Sequence, residues 1–175
     1  MIEGKDIYLR PMEIPDVKHK VQWLNDPEVR KMLIYSDYPA SIIATEQWLR
    51  RVATDTTRKD FIVCLKADDT PVGFAGLKNI DRENKKAESY LGIGVKEYWG
   101  KGLGLDIKRT LAIYSFDDLK LNKLYSYHLT DNKPMININL KLGGREDGVL
   151  REDVYNDGVL ADRVMISILR SDLKR

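Results

Sequence analysis

The sequence is poor in the residues that build metal and thiol chemistry: one cysteine and two histidines among 175 residues. A lone Cys64 makes no internal disulfide, and inside an apolar stretch it reads as core packing rather than a nucleophile. His19 and His128 lie far apart in the chain and cannot by themselves close a zinc site, so no metal is expected. An excess of one charge is lacking too. Twenty-nine Lys and Arg against 27 Asp and Glu leave a formal net charge of +2. That balance carries no electrostatic footprint for nucleic acid or an anionic membrane. The opening Met1 to Arg10 has no apolar signal core, and no apolar run approaches membrane-spanning length. No repeat, low-complexity tract or Pro/Gly/Ser linker divides the chain. The expectation is a cytoplasmic protein of one domain, residues 1–175, with room for one proper core.

What is present is a sequence of short periodic segments. Asp6 to Met12 alternates as a strand. Pro15 sits in the first turn of a helix reaching Asn25, with Val17, Val21 and Leu24 on one face. Pro27 opens a short second helix through Met32, and Ser41 caps a third that carries Ile42, Ile43, Trp48, Leu49 and Val52. Phe61–Leu65, Val72–Leu77 and Glu88–Val95 read as a three-strand meander. A helix bearing Leu103, Ile107, Leu111 and Tyr114 follows, then a strand over Leu124–Thr130 and a helix over Asn132–Leu142. Arg145–Tyr155 and Val159–Leu169 flank Asn156-Asp157-Gly158, a hairpin-turn signal. Antiparallel pairs with one βαβ crossover make a mixed α+β domain, not a doubly wound one.

Trp99-Gly100-Lys101-Gly102-Leu103-Gly104 lies between a strand and a helix. Free backbone N–H groups and the positive end of a helix dipole there suit a pyrophosphate, and glycines let the backbone wrap closely. The Gly-Lys-Ser/Thr of a Walker loop is absent, and a dinucleotide fingerprint fits poorly because Leu105 falls where its third glycine would be. A plain tight turn is the competing reading.

Glu88 to Gly104 resembles motif A of the GNAT N-acetyltransferases. Leu9-Arg10-Pro11 and Trp23 to Val29 are similar to the N-terminal half of the branch that acetylates ribosomal-protein N-termini. Asn132 before a helix ending Leu142-Gly143 resembles motif B, and Gly148 to Gly158 with Asp162 the terminal hairpin. The resemblance covers nearly the whole chain. It implies the GNAT fold, a twisted and mostly antiparallel sheet of about seven strands with flanking helices. It also implies acetyl-CoA as donor, direct transfer to a primary amine, and a possible homodimer. The acceptor expected is an amino sugar or a peptide α-amine, with a polyamine third.

The chemistry is proton management. A lysine-like amine is protonated at neutral pH and must lose a proton before it attacks a thioester; the oxyanion then needs a donor, and the departing thiolate an acid. Glu88 is the candidate base, on one strand face with Tyr90, Gly92 and Gly94 unless a bulge resets the parity. A solvated carboxylate beside Lys85 and Lys86 is the bland alternative. By the resemblance, Ile93, Gly94 and Val95 offer backbone groups to the pantetheine arm, and Trp99, Gly100, Lys101, Gly102, Leu103 and Gly104 hold the pyrophosphate. Lys108 or Arg109 could approach the 3′-phosphate, although Lys108 reads better as ordinary helix solvation. Asn132 matches an asparagine that hydrogen-bonds the cofactor; a helix-start cap is nearly as good a reading. Where many relatives carry a tyrosine acid, this chain has Asn139, whose amide donates hydrogen bonds but no acid proton. Tyr90, Tyr127, His128 or water could stand in. Asn139 also motivates the alternative of a CoA-binding sensor or interaction module without catalysis. Trp23, Asp26, Glu28 and Tyr35, with Tyr90, are the candidate acceptor-site residues, core packing being at least as good a reading for Trp23.

Overall fold

The computed structural model describes residues 1–34, 39–156 and 158–175. The expected Tyr35, and Asp157 of the hairpin turn, lie outside the described residues. The elements in order are β1 (Ile2–Glu3), β2 (Ile7–Pro11), α1 (Val17–Asn25), α2 (Pro27–Met32), α3 (Ile42–Val52), β3 (Lys59–Leu65), β4 (Pro71–Asp81), β5 (Lys86–Ile93), α4 (Leu103–Ile113), β6 (Lys123–Leu129), α5 (Lys133–Lys141), β7 (Arg145–Asn156) and β8 (Val159–Leu169). They form one eight-stranded sheet in the order β1-β2-β3-β4-β5-β6-β8-β7. The expected seven strands become eight because the two-residue β1 pairs onto β2, too short a segment to carry a period. Among the described residues no helix is long and apolar enough to cross a membrane.

Local chemistry fixes the helix starts. Asp26 accepts from the backbone N–H groups of Glu28 and Val29 at the head of α2, and Ser41 accepts from Ala44 N–H at the head of α3. Burial on both faces explains the unbroken apolar run of β3. Phe61, Val63 and Leu65 face a core shared with Ile107 and Leu111 of α4, whereas Ile62 and Cys64 face Trp23, Leu24 and Leu49 of α1 and α3.

One feature of the sheet positions the site. All pairings are antiparallel except that of β5 with β6, which is parallel and lasts only three rungs, Lys86 with Lys123, Ala87 with Leu124 and Glu88 with Tyr125. Past Glu88 the two strands part. β5 stays with β4 and β6 with β8, so the sheet divides into two wings. The crossover helix α4 lies beneath the division.

Candidate active site

A cleft of about 680 Å³ opens where β5 and β6 part. Glu88 stands on the last shared rung and lines it. Its carboxylate is 12% exposed and accepts from Lys78 Nζ at 3.0 Å and from Asn79 Nδ2 at 3.0 Å. Asn79 takes a positive φ of 52° where the β4–β5 register shifts. The irregularity therefore sits on β4 opposite Glu88, where it aims the Asn79 amide at the carboxylate. The parity of β5 is kept, and Glu88 and Tyr90 both reach the cleft.

Tyr90 donates its hydroxyl to Asp60, which also takes Arg58 at 2.9 Å. Burial first, and Asp60 second, push the phenol well above its ordinary range. The ring passes over Gly76, where a Cβ would lie 2.4 Å from the tyrosine oxygen.

Past the last rung, Ser89 on β5 and Ser126 on β6 turn inward, and Lys108 of α4 reaches both. Its Nζ donates to Ser89 Oγ in a short contact and to Ser126 Oγ at 3.3 Å. The network continues from Ser126 Oγ to His128 Nε2 at 2.9 Å, and from Asn139 Nδ2 to the same nitrogen at 3.1 Å. Burial pulls Lys108 down to about 7, and burial with the Lys108 charge beside it pulls His128 down to about 3. Imidazole is therefore neutral here at physiological pH.

At the N-terminal end of α4, Gly100 and Gly102 take φ of 72° and 87°, the left-handed region open to glycine. A Cβ at either would meet nothing within 4 Å. Gly102 is the N-cap of α4 and no side chain caps that helix. Orphan N–H groups at the positive end of a helix, with open space before them, fit a pyrophosphate. Among the described residues no group of three or more His, Cys, Asp or Glu could hold a metal ion.

The acetyltransferase (GNAT) domain family matches residues 6–145. The chain belongs to this family. It is similar over 166 residues, at 29% identity, to the uncharacterized N-acetyltransferase p20 of Bacillus licheniformis, with 94% of this chain and 93% of that one covered. Over 170 residues it is 25% identical to a spermidine N(1)-acetyltransferase of Escherichia coli (strain K12), covering 97% and 89% of the two chains. A spermidine N-acetyltransferase from Vibrio cholerae, solved with CoA and spermine, superposes with a TM-score of 0.89 at 23% identity, covering 95% of this chain and 97% of that one. The GNAT fold of the chain is thus shown, and so is an acetyltransferase enzyme; the family uses acetyl-CoA.

Within this GNAT fold several expected residues stand elsewhere than the motifs implied. Trp23 is 5% exposed, packs between His19 and Phe74, and lies in the core beneath the cleft. Gly94 serves that packing, since a Cβ there would fall 2.0 Å from the indole. The N–H groups of Gly94 and Val95 both go to Val72 O, at 2.9 and 3.2 Å, and the Ile93 carbonyl is taken by the Trp99 indole N–H at 2.9 Å. The expected pantetheine donors at Gly94 and Val95 are therefore spent inside the sheet. Asp26 and Glu28 sit outside the cleft, both paired with Lys96, at 3.0 and 2.7 Å. That bridge holds Asp26 below its usual range and Lys96 above its own.

Asn139 is 1% exposed and spends its amide on His128 and on Met135 O. It positions an imidazole rather than facing open space. Asn132 caps α5 through Met135 N–H at 3.3 Å, as one of its two readings has it, and also lines the cleft. Leu103 is buried in the core; Gly104 packs α4 on α5, a Cβ there coming 2.9 Å from Ile138; Lys101 is exposed.

Lys108 overturns its sequence reading. It is 2% exposed and points into the sheet, neither solvated nor aimed outward. The signal was available: Gly104, Lys108 and Ala112 form one i, i+4 row, and all three are buried. Ser126 and His128 likewise alternate inward with Leu124 on β6. Lys20 was missed as well. It is buried, its Nζ lies 3.5 Å from the Trp48 ring centroid, and burial lowers it to about 8.

Proposed function

We propose that the chain transfers the acetyl group of acetyl-CoA directly to a primary amine that is not a polycation, a peptide α-amine or an amino sugar, with Glu88 as the base. The observation that carries this is the setting of Glu88 on the last rung shared by β5 and β6, at the wall of the cleft. An amine nitrogen brought there meets a carboxylate with lone pairs to spare, which takes its proton directly or through one water. The glycine loop and the uncapped start of α4 would take the pyrophosphate, and the Asn132 amide would reach the cofactor arm. The acceptor class rests on the charge of the cleft. Among the described residues its wall carries Lys20, Arg51, Arg58, Lys78, Lys108 and Arg163 against the carboxylate of Glu88, with Asp60 and Asp153 pairing Arg58 and Arg163 from outside the lining. A site for spermidine, the substrate in the names of two similar proteins, calls for the opposite sign. The likeness to ribosomal-protein N-terminal acetyltransferases agrees with a peptide acceptor.

Thiol release from acetyl-CoA across a panel of peptides, amino sugars and polyamines tests this. Turnover on peptide or amino-sugar amines with little on spermidine is expected; preference for spermidine would overturn the acceptor class, and CoA binding without turnover on any amine would leave the non-catalytic module. Cytoplasmic location is carried over from composition and a homodimer from the resemblance; sedimentation velocity checks the dimer.

A further inference from the structure

We propose that Lys108 is the acid of the transfer step: its buried ammonium, held across the parting of β5 and β6 by Ser89 and Ser126, protonates the thiolate as it leaves. The inference rests on acetyl-CoA being the donor. Three observations carry it.

The first is position. Ser89 and Ser126 are the residues directly past the last rung of each strand, and Lys108 Nζ bonds to both, so the ammonium lies at the floor of the cleft, where the wings separate. The second is its unmatched charge. Lys108 makes no ion pair among the described residues; the nearby Glu88 carboxylate takes Lys78 and Asn79 instead. An ammonium has three N–H donors and two are used, leaving one for a ligand. A buried cation without a carboxylate is costly unless something negative meets it. A thiolate forming in the cleft is such a charge. The third is the state of three other candidates, Tyr127 being a further one that lines the cleft. His128 is held neutral, the Tyr90 hydroxyl is given to Asp60, and Asn139 is an amide.

The step balances. The acceptor nitrogen, having lost a proton to Glu88, forms a C–N bond to the thioester carbon. The C–S bond breaks with its pair going to sulfur, and an Nζ–H proton passes to that sulfur, giving the CoA thiol and a neutral Lys108 amine. Lys108 regains a proton from water while Glu88 and the new amide nitrogen release theirs. Burial brings the Lys108 equilibrium to about 7, so the proton is both held and releasable near neutrality. The titratable groups facing it are Glu88 from β5 and His128 from β6; α5 contributes the neutral Asn139.

The test needs no turnover. Free CoA is bound to the wild type and to Lys108→Met, and the ultraviolet thiolate band is followed against pH. The bound thiol should ionise at least about one pH unit lower in the wild type than in the variant. In steady state Lys108→Met should lose at least about 10²-fold in kcat with KM for acetyl-CoA unchanged, and lose the alkaline limb of the kcat profile near pH 7. Lys108→Arg, which keeps charge but releases no proton, should retain the shifted thiol and not the kcat. A thiol unmoved by Lys108→Met, or a variant with undiminished kcat and the same pH profile, overturns the proposal. A wild type that binds no CoA overturns the donor assignment instead, and this inference falls with it.

Discussion

Glu88 and Lys108 carry opposite charges in one cleft, and neither neutralises the other directly. In the proposed mechanism their separation leaves a base and an acid both available. Replacing Glu88 by Gln keeps its volume and its Asn79 and Lys78 neighbours but removes the base. It should lower kcat about 10²–10⁴-fold while CoA affinity measured by calorimetry stays put; an unchanged kcat would refute the role. Lys108 also makes a stability prediction. Its proton is held at about 7 in the fold against 10.5 ordinarily. Between those values the unfolded chain binds more protons, so stability rises with pH from 7 to 10.5, and the penalty of the buried charge is full below about 7. Lys108→Met should therefore raise Tm at pH 7 by several degrees, at about 2–4 °C per kcal/mol for a chain of this size, with the gain fading toward pH 10.5. Scanning calorimetry at a series of pH values reads this directly. The place of Glu88 on a strand was legible in the sequence because it opens a recognisable strand motif. Lys108 was harder to read: its i, i+4 row with Gly104 and Ala112 hinted at a buried face, but a lysine on an amphipathic helix is ordinarily solvated, and the packing of α4 under the parted strands decides it.

At the scale of elements, the loop before α4 and the end of β5 do different work although both are glycine-rich. Gly102 faces open space at a positive φ, so a Cβ there meets no protein atom within 4 Å. Gly102→Glu would set a carboxylate at the positive end of α4 and should weaken CoA binding at least about tenfold, whereas Gly102→Asn, which tolerates that backbone, should cost far less. Equal affinities for CoA in the two variants would displace the pyrophosphate from this loop. Gly94 faces the Trp23 indole and has no open space before it. Gly94→Ala should cost about 1–3 kcal/mol through overpacking, seen as a lowered Tm. The capped helix start at Ser41 and the strand β3 could be read from local pattern, because caps and periodicity are local, whereas the cap made by Asp26 was read as an acceptor-site residue. The two roles of glycine could not, since φ and sequence look alike until the partner across the fold is known.

At the scale of the molecule, the net charge is +2, and the described wall of the cleft carries six cationic side chains, of which Lys78, Arg58 and Arg163 are paired with Glu88, Asp60 and Asp153. Attraction and repulsion at that wall are screened by salt. For a polyamine acceptor kcat/KM should rise with ionic strength; for an acceptor bearing a carboxylate it should fall. The opposite pair of slopes would refute the charge argument. By itself the sequence determined the family, the order of elements, the Ser41 cap, the glycine loop and the candidate base, because these rest on spacing along the chain. The tertiary structure alone decided that Trp23 is core, that Asp26 and Glu28 are tied to Lys96, that Asn139 holds His128, and that Lys108 lies beneath the cleft. Those are contacts between residues distant in sequence. Burial and the charge of a neighbour act through space, and they set what each group can do.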